Sequence, residues 1–357
     1  MKNHVILSVP LAAVLLAQAA QAGAPAGRVV GWGFNFSGQA TGVPTDNGIR
    51  APNSSAGIVA ISGQVVTDAA SVACGGDHSL ALGKDGTVVG WGANTMGCAV
   101  GFDTGNGSTS GIVRLGGRIL SNVTAVAAGM GYSLALRDDG SVVGWGRGFM
   151  GERLSGLLPV SNAVAIAAGA TFDCSLVVQR DGTLMSFWAG VAERSGLSNV
   201  SAIAVGTTRD LPPLALGRDG AVVLYSLEPA RPELAPPPGL SKVKAIAAGR
   251  NHYLALKDDG TVFGWGGNLS GQATGTASEW AAGLAMVQGA VLSNVVAIAA
   301  SDDLSVALKR DGTVVAWGRN DRGQTDVPVG LSGVVAISAG WHCLAVTTNA
   351  NALILKR

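Results

Sequence analysis

The chain has 357 residues, of which 13% are charged and 48% hydrophobic, and its formal net charge is +1. This apolar content is enough for a globular core and excludes an intrinsically disordered chain. The sequence has no run of Lys or Arg that would neutralise phosphates, so it gives no support for nucleic-acid binding.

The first 22 residues are predicted to be a signal peptide. Lys2 precedes an apolar stretch from Val5 to Ala17, and the small-x-small triplet ending at Ala22 precedes Gly23. The apolar stretch is shorter than the roughly 20 residues of a membrane span, so no membrane anchor is expected. We expect cleavage after Ala22 and export of residues 23–357 to a secreted or periplasmic location.

The rest of the chain is built of repeats. Asp-Gly pairs begin at Asp85, Asp139, Asp181, Asp219, Asp259 and Asp311, at separations of 54, 42, 38, 40 and 52 residues. Such spacings are typical of propeller blades. Each pair lies between two alternating apolar runs, which predicts a β-hairpin with a type I′ turn, in which both central residues have positive φ.

Each hairpin supplies two strands, B and C, and a run of small residues before it supplies an innermost strand A. Residues 125–129 and 245–249 are two such runs, and small side chains fit the crowded axis of a propeller. A fourth strand, D, is predicted in the widely spaced repeats, at 57–72, 111–123 and 283–295. The shorter repeats, such as the one containing 323–328, are expected to abbreviate this outer edge.

The number of blades follows from counting strand A. It occurs seven times, near Val72, Val126, Ile166, Ile203, Ile246, Ile298 and Ile337, whereas a strand C occurs at 28–33 before any strand A. We therefore predict an all-β fold, a single seven-bladed β-propeller over residues 23–357, closed by N-terminal strands that join the C-terminal blade. A C-like segment at 352–355 leaves eight blades as an alternative.

One large aromatic residue stands near the end of each strand C, where it is predicted to pack between adjacent blades. These residues are Trp32, Trp91, Trp145, Phe187, Tyr225, Trp265 and Trp317.

Histidines and cysteines are predicted to have structural roles. His78, His252 and His342 start strand B in three different blades, too far apart to share one metal ion, so neither a metal site nor a cofactor is expected. The four cysteines are too few for a disulfide scaffold. A pairing of Cys74 with Cys98 stays open, because the two flank one repeat and would lie on one face of one blade.

The repeat pattern resembles a known family. Three motifs are similar to the repeats of the regulator of chromosome condensation family, over about residues 27–357. They are Val-Ala-Ala-Gly, then His or Tyr with Ser-Leu-Ala-Leu, then Asp-Gly-Thr-Val-Val-Gly-Trp-Gly with Gly-Gln. The resemblance implies a seven-bladed propeller. Residues 314–328 look most like the bacterial, exported branch that includes the type II β-lactamase inhibitory protein, which binds its enzyme through aromatic residues of one propeller face.

Strand polarity places the A–B and C–D loops on one rim, here called the loop rim, and the B–C and D–A turns on the opposite turn rim. Ten aromatic residues outside the strand C positions are expected in or beside the loop rim, whereas the turn rim carries mixed charge. Aromatic residues are favoured at binding hot spots. The predicted partner-binding residues are Phe34, Phe36, Trp188, Trp280 and Trp341.

The sequence contains no convincing nucleophile with a base, phosphate loop or catalytic carboxylate pair, so no enzyme activity is expected. The favoured function is an exported, monomeric propeller that binds another extracellular or periplasmic protein, and an inhibitor-like role is compatible with it. The alternative is a module that binds glycans or associates with the cell envelope. The stretch 185–240 departs most from the repeat pattern. Sequence drift in a blade that tolerates substitutions explains this as well as a specialised docking loop does.

Overall fold

The computed structural model describes residues 25–45, 54–105, 107–147, 153–169, 175–188, 191–208, 210–225 and 231–349. Short antiparallel strands make up nearly all of its regular structure, with 3-10 turns at Thr95–Gly97 and Pro232–Leu234. No helix in these ranges is long and apolar enough to cross a membrane.

Seven antiparallel sheets form the blades. Blade 7 contains the first two strands of the chain, β1 (Arg28–Phe34) and β2 (Ser54–Ile58), with the last two, β31 (Val334–Ala339) and β32 (His342–Thr347). Blade 1 has β5 (Ala69–Cys74), β6 (His78–Gly83), β7 (Val88–Ala93) and β8 (Ser108–Ile112); blade 2 has β11 (Val123–Ala128), β12 (Tyr132–Arg137), β13 (Val142–Arg147) and β14 (Arg153–Leu157); blade 3 has β15 (Ala163–Ala167), β16 (Leu176–Gln179), β17 (Leu184–Trp188) and β18 (Val191–Arg194).

The remaining blades follow the same order from the axis outward. Blade 4 has β19 (Val200–Ala204), β20 (Leu214–Gly217) and β21 (Val222–Leu224); blade 5 has β22 (Val243–Ala248), β23 (His252–Lys257), β24 (Val262–Gly267) and β25 (Trp280–Leu284); blade 6 has β28 (Val295–Ser301), β29 (Leu304–Lys309) and β30 (Val314–Gly318). Two-residue ribbons lie outside the blades: β3 (Ala60–Ile61) with β4 (Gln64–Val65), β9 (Arg114–Leu115) with β10 (Arg118–Ile119), and β26 (Met286–Val287) with β27 (Ala290–Val291).

The ring is closed by strands from the two ends of the chain, as predicted. Strand β1 lies between β2 and β32, with Trp32 opposite Cys343 and Val30 opposite Ala345. Strand β31 packs against β5 of blade 1, which completes the circle. The segment 352–355, the basis of the eight-blade alternative, lies outside the described residues.

The outer strands follow the predicted pattern only partly. Blade 6 has three strands among the described residues, as its short repeat predicted, and so does blade 4. The prediction was wrong for blades 2 and 3, whose shorter repeats still supply a fourth strand, β14 and β18. In blade 1 the predicted long strand is instead divided into β8 and the β9–β10 ribbon.

The hairpins are present, but the predicted type I′ turn is wrong. Among the turn residues 84–86 of blade 1 only Gly86 has positive φ, at 78°, and the Gly86 N–H donates to the Gly83 carbonyl at 3.0 Å. The loop is therefore a type I turn followed by a bulge, with three residues where a type I′ turn has two. Asp85 accepts the Thr87 N–H through its carboxylate at 3.0 Å. The Gly86 carbonyl in turn accepts the N–H of Val123, which joins blade 1 to blade 2.

The strand C aromatics lie between blades. Trp145 is completely buried and packs with Leu80 and Val88 of blade 1. The indole N–H of Trp91 donates to the Gln39 carbonyl of blade 7 at 2.8 Å, so the ring bridges two blades by packing and by a hydrogen bond. The corresponding residues each join a hydrophobic cluster with the preceding blade, and all but the half-buried Tyr225 are buried: Trp32, Trp91, Phe187, Tyr225, Trp265 and Trp317.

Each of the three histidines that start strand B is buried and bonded to the next blade. The Nε2 atoms of His78 and His252 lie 2.8 and 2.9 Å from the hydroxyls of Ser133 and Ser305, and His342 bonds in the same way to Ser79. Equivalent positions around the ring thus carry equivalent interblade hydrogen bonds. No group of three potential metal ligands occurs within the described part of the chain.

The suggested Cys74–Cys98 disulfide is wrong, because both cysteines are free and buried. They face opposite neighbours: the Cys74 N–H donates to Ser338 of blade 7, whereas the Cys98 carbonyl accepts from Ser133 of blade 2. Cys343 is likewise free and buried, and Cys174 lies outside the described residues.

Candidate functional site: a charged and aromatic pocket on the loop rim

An asparagine in several C–D loops fixes the shape of the loop rim. In blade 7, Asn35 is completely buried; its side-chain oxygen accepts the Ala40 and Thr41 N–H groups, and its amide donates to the Val43 carbonyl at 2.9 Å. Asn94 and Asn268 make corresponding bonds in blades 1 and 5. The C–D loops are therefore held from inside, and residues at their tips have a defined position.

A glutamine then ties two C–D loops to the following blade. The side-chain amide of Gln272 donates to the Asp303 carboxylate at 3.0 Å, and Gln39 donates to Asp77 at 3.3 Å. Burial raises the pKa of both carboxyls, and for Asp303 repulsion from Asp302 adds to it. The link thus belongs to the repeat, since it recurs at two blade junctions.

The junction between blades 6 and 7 departs from this pattern. The A–B loop of blade 7 carries Trp341 instead of an aspartate, and the Gln324 amide donates to Asp321 of its own loop at 3.1 Å. The Trp341 ring stands edge-on to Phe34, with ring centroids 6.0 Å apart. On Phe34 lies the Arg322 guanidinium, 4.5 Å from the ring centroid.

Charged side chains from blades 5 and 6 surround this aromatic pair of blade 7. Arg319 is 2.6 Å from the Asp321 carboxylate and 3.7 Å from Asp302, and Arg250 approaches Asp302 to 3.8 Å. Together with Phe34, Arg322 and Trp341, these residues line a cavity of about 260 Å³. We call Phe34, Arg250, Asp302, Arg319, Arg322 and Trp341 the rim cluster.

The long A–B loop of blade 4 supports the cluster through two hydrogen bonds. The Thr207 hydroxyl accepts the Asp302 N–H at 3.2 Å, and the Thr208 hydroxyl donates to the Arg250 carbonyl at 2.9 Å. Two backbone positions of the rim cluster are thereby fixed by a loop of the most divergent stretch of sequence.

The structure brings together two of the five predicted partner-binding residues, Phe34 and Trp341. Phe36 lies in the same loop as Phe34 and is 62% exposed, whereas Trp280 is exposed on the outer strand of blade 5 and does not line the cavity. The side chain of Trp188 lies outside the described residues.

Two of the aromatics expected beside the loop rim, Tyr132 and Tyr253, are instead buried in strands β12 and β23. Of the others, Phe149 and Phe172 lie outside the described residues. The prediction from sequence missed the charged members of the rim cluster. The sequence Arg-Asn-Asp-Arg at 319–322 was the available signal, because it places three charges in one C–D loop.

The sequence matches the model for the regulator of chromosome condensation (RCC1) repeat at residues 69–98, 123–152, 243–272 and 295–324. The chain is 25% identical over 261 residues to the ultraviolet-B receptor UVR8 of Arabidopsis thaliana, covering 72% of this chain and 54% of the receptor. It is 26% identical to protein pim1 of Schizosaccharomyces pombe, covering 72% of this chain and 48% of pim1. The chain thus spans about half the length of these relatives.

Solved structures share the fold. Prp20p of Saccharomyces cerevisiae, described with its binding to Gsp1p and histones, superposes with a TM-score of 0.73 at 17% identity, covering 93% of this chain and 94% of that one. Human WBSCR16 gives a TM-score of 0.66 at 19% identity, covering 91% and 100%. At such low identity these likenesses establish architecture alone. With the closed ring of seven sheets, they identify the chain as a seven-bladed β-propeller, and four of its segments match the RCC1 repeat.

Proposed function

We propose that the chain is an exported, non-enzymatic propeller that binds another protein through the loop rim at the junction of blades 6 and 7. The observation that carries the proposal is the rim cluster, where Trp341 stands at the position that Asp77 and Asp303 occupy in blades 1 and 6 and lies beside Phe34. A partly exposed aromatic pair surrounded by arginines has the composition of a protein-binding hot spot.

The fixed loops support the same proposal. Asn35 and the threonines at 207 and 208 hold the loops that carry the cluster, so binding need not order them first. A pre-organised surface loses less conformational entropy when a partner docks. One structural relative, Prp20p, is described as having binding properties toward Gsp1p and histones, which agrees with a binding role but identifies no partner for this chain.

The histidines support a non-enzymatic role. Each Ser–His pair resembles the serine and histidine of a catalytic triad, but His78, His252 and His342 are buried between blades. The Ser133 hydroxyl donates to the Cys98 carbonyl at 2.9 Å, so its proton is already engaged. These pairs hold blades together and are inaccessible to a substrate.

The predicted signal peptide supports an extracellular or periplasmic partner, and the resemblance to the exported branch of the family supports an inhibitor-like mode of binding. A second candidate, glycan binding, is favoured by the exposed rings of Phe36 and Trp280, which lie outside the cavity lining. Retention on a polysaccharide resin that is lost in a Phe36→Ala/Trp280→Ala variant would favour this alternative.

The direct test is to immobilise residues 23–357 and identify what they capture from the native extracellular or periplasmic fraction. We expect one protein that binds the wild type and not the Phe34→Ala/Trp341→Ala variant. Phe102→Ala is the matched control, because Phe102 is exposed on a C–D loop of blade 1 outside the cavity. Equal capture by the wild type and the double variant, or no capture, would count against the loop rim.

A further inference from the structure

The arginines of the rim cluster differ in how far their charge is neutralised. Arg319 lies within 2.6 Å of Asp321 and 3.7 Å of Asp302, so its guanidinium is engaged by two carboxylates. Among the described residues, Arg322 takes part in no ion pair, although it follows Asp321 directly in the chain, because the Asp321 carboxylate pairs with Arg319. The Arg322 guanidinium lies on the Phe34 ring instead.

Stacking of this kind prepares a guanidinium for an incoming anion. The ring fixes the plane of the group while leaving its edge N–H donors for an acceptor outside the stack. A carboxylate can accept two parallel hydrogen bonds from such an edge. Arg322 is exposed, so this edge is within reach of a partner.

Two carboxylates of the pocket, those of Asp302 and Asp303, are less accessible than Arg250 and Arg322. The Asp302 side chain is 25% exposed and lies between Arg319 and Arg250, whereas the Arg250 side chain is 51% exposed. Asp303 is half-buried and accepts the Gln272 amide. A side chain that enters the pocket therefore meets Arg322, Arg250 and the aromatic pair before it meets Asp302 or Asp303. The third carboxylate, that of Asp321, is 45% exposed but is already paired with Arg319 at 2.6 Å.

We propose that the rim cluster receives an acidic side chain, Asp or Glu, of a partner polypeptide. Its carboxylate binds the guanidinium of Arg322, with Arg250 beside it, and the apolar part of the same segment packs against Phe34 and Trp341. This inference rests on the proposed protein-binding function and adds the chemistry of the group that is recognised.

The test uses residues 23–357 and a displayed library of random linear peptides. We expect the selected peptides to be enriched in Asp or Glu beside an apolar residue, and the Arg322→Gln variant to lose that enrichment. Arg147→Gln is the matched control, because Arg147 is exposed on the same rim at the end of β13, away from the cavity.

A double-mutant cycle then locates the contact. Replacing the acidic residue of a selected peptide with its amide should weaken binding to the wild type by about ten- to hundred-fold and leave binding to Arg322→Gln nearly unchanged. Arg322→Lys should recover only part of the affinity, since it keeps the charge and loses the planar fork.

Three results would overturn the inference: selected peptides without acidic enrichment, additive effects in the cycle, or no peptide selected at all. Its failure is distinguishable from failure of the proposed function. A natural partner that binds Arg322→Gln as well as the wild type, but not the Phe34→Ala/Trp341→Ala variant, would refute the acidic contact and leave the protein-binding role in place.

Discussion

The His78 ring donates its Nε2 proton to the Ser133 hydroxyl, across the boundary between blades 1 and 2, over 2.8 Å. The direction follows from the serine, because its own hydroxyl proton goes to the Cys98 carbonyl. The same argument applies to His342 with Ser79 and to His252 with Ser305. In these last two rings Nδ1 is buried without a hydrogen-bond partner, so a proton there would have no acceptor.

These rings should make the propeller sensitive to acid. Burial lowers the pKa of His78 to about 4 and the pKa values of His252 and His342 to about 3, from an ordinary 6.5. Below pH 6.5 these histidines bind protons in the unfolded chain but stay neutral in the folded protein. Their contribution to the free energy of unfolding is therefore complete above pH 6.5 and is lost as the pH falls toward 4. At about pH 5 the loss should be about 2 kcal/mol for each ring.

Urea unfolding at neutral pH and near pH 5 measures this loss. A His252→Gln variant, whose amide can still donate to Ser305, should be less stable at neutral pH but lose less stability on acidification than the wild type. If the two proteins show the same pH dependence, His252 is not one of the groups responsible.

Trp145→Ala should lower the free energy of unfolding by about 3–5 kcal/mol, because the indole is completely buried between blades 1 and 2 and its removal leaves a cavity. Trp280→Ala should change it by less than about 0.5 kcal/mol, since that ring is exposed. Chemical denaturation of both variants gives the comparison. A small effect at Trp145 would show that this ring does not stabilise the blade interface.

Gly249→Ala should destabilise the propeller and weaken the His252 link. A Cβ atom at this position would lie 2.2 Å from the His252 ring and 2.7 Å from the Asp302 carbonyl, and the carbonyl cannot move aside. Gly283→Ala is the control, because nothing lies within 4 Å of its Cβ position. We expect a lower melting temperature for Gly249→Ala alone, and equal melting temperatures would contradict the close packing of the ring on Gly249.

The buried cysteines should be unreactive in the folded protein. Burial raises the pKa of the Cys74 and Cys98 thiols to about 12 and raises the pKa of the Cys343 thiol as well, so few thiolates form at pH 8. Iodoacetamide labelling followed by mass spectrometry should modify these three residues only after denaturant is added. A Cys74–Cys98 disulfide recovered from the folded protein would contradict the free thiols of the structure.

Ring closure could be predicted from sequence because it depends on the order of strands. A strand C at 28–33 precedes every strand A, so it has to complete a blade begun elsewhere in the chain. The turn type could not be predicted in the same way, because Asp-Gly occurs both in two-residue turns and before a bulge. Only the register of the flanking strands, with Gly83 bonded to Thr87, distinguishes them.

The candidate site was predictable only in its aromatic members. Phe34 and Trp341 stand out as bulky residues in loops otherwise rich in glycine. Arg250 is an ordinary loop residue of blade 5, and Asp302 and Arg319 lie in two different loops of blade 6, so their proximity comes from the arrangement of the blades in the ring. No local pattern indicates which loops face one another, or that Trp341 occupies the place of a repeated aspartate.

The position of β1 between β2 and β32 also determines the order in which the molecule can be completed. Trp32 donates to the Gln324 carbonyl 292 positions away, and the partner strand of β1 begins only at His342. During synthesis, β1 therefore cannot pair with β32 until β32 has been made, and pairings this distant in sequence form slowly. Six blades can assemble as the chain emerges, but blade 7, which carries Phe34 and Trp341 of the rim cluster, forms only after Thr347 has been made.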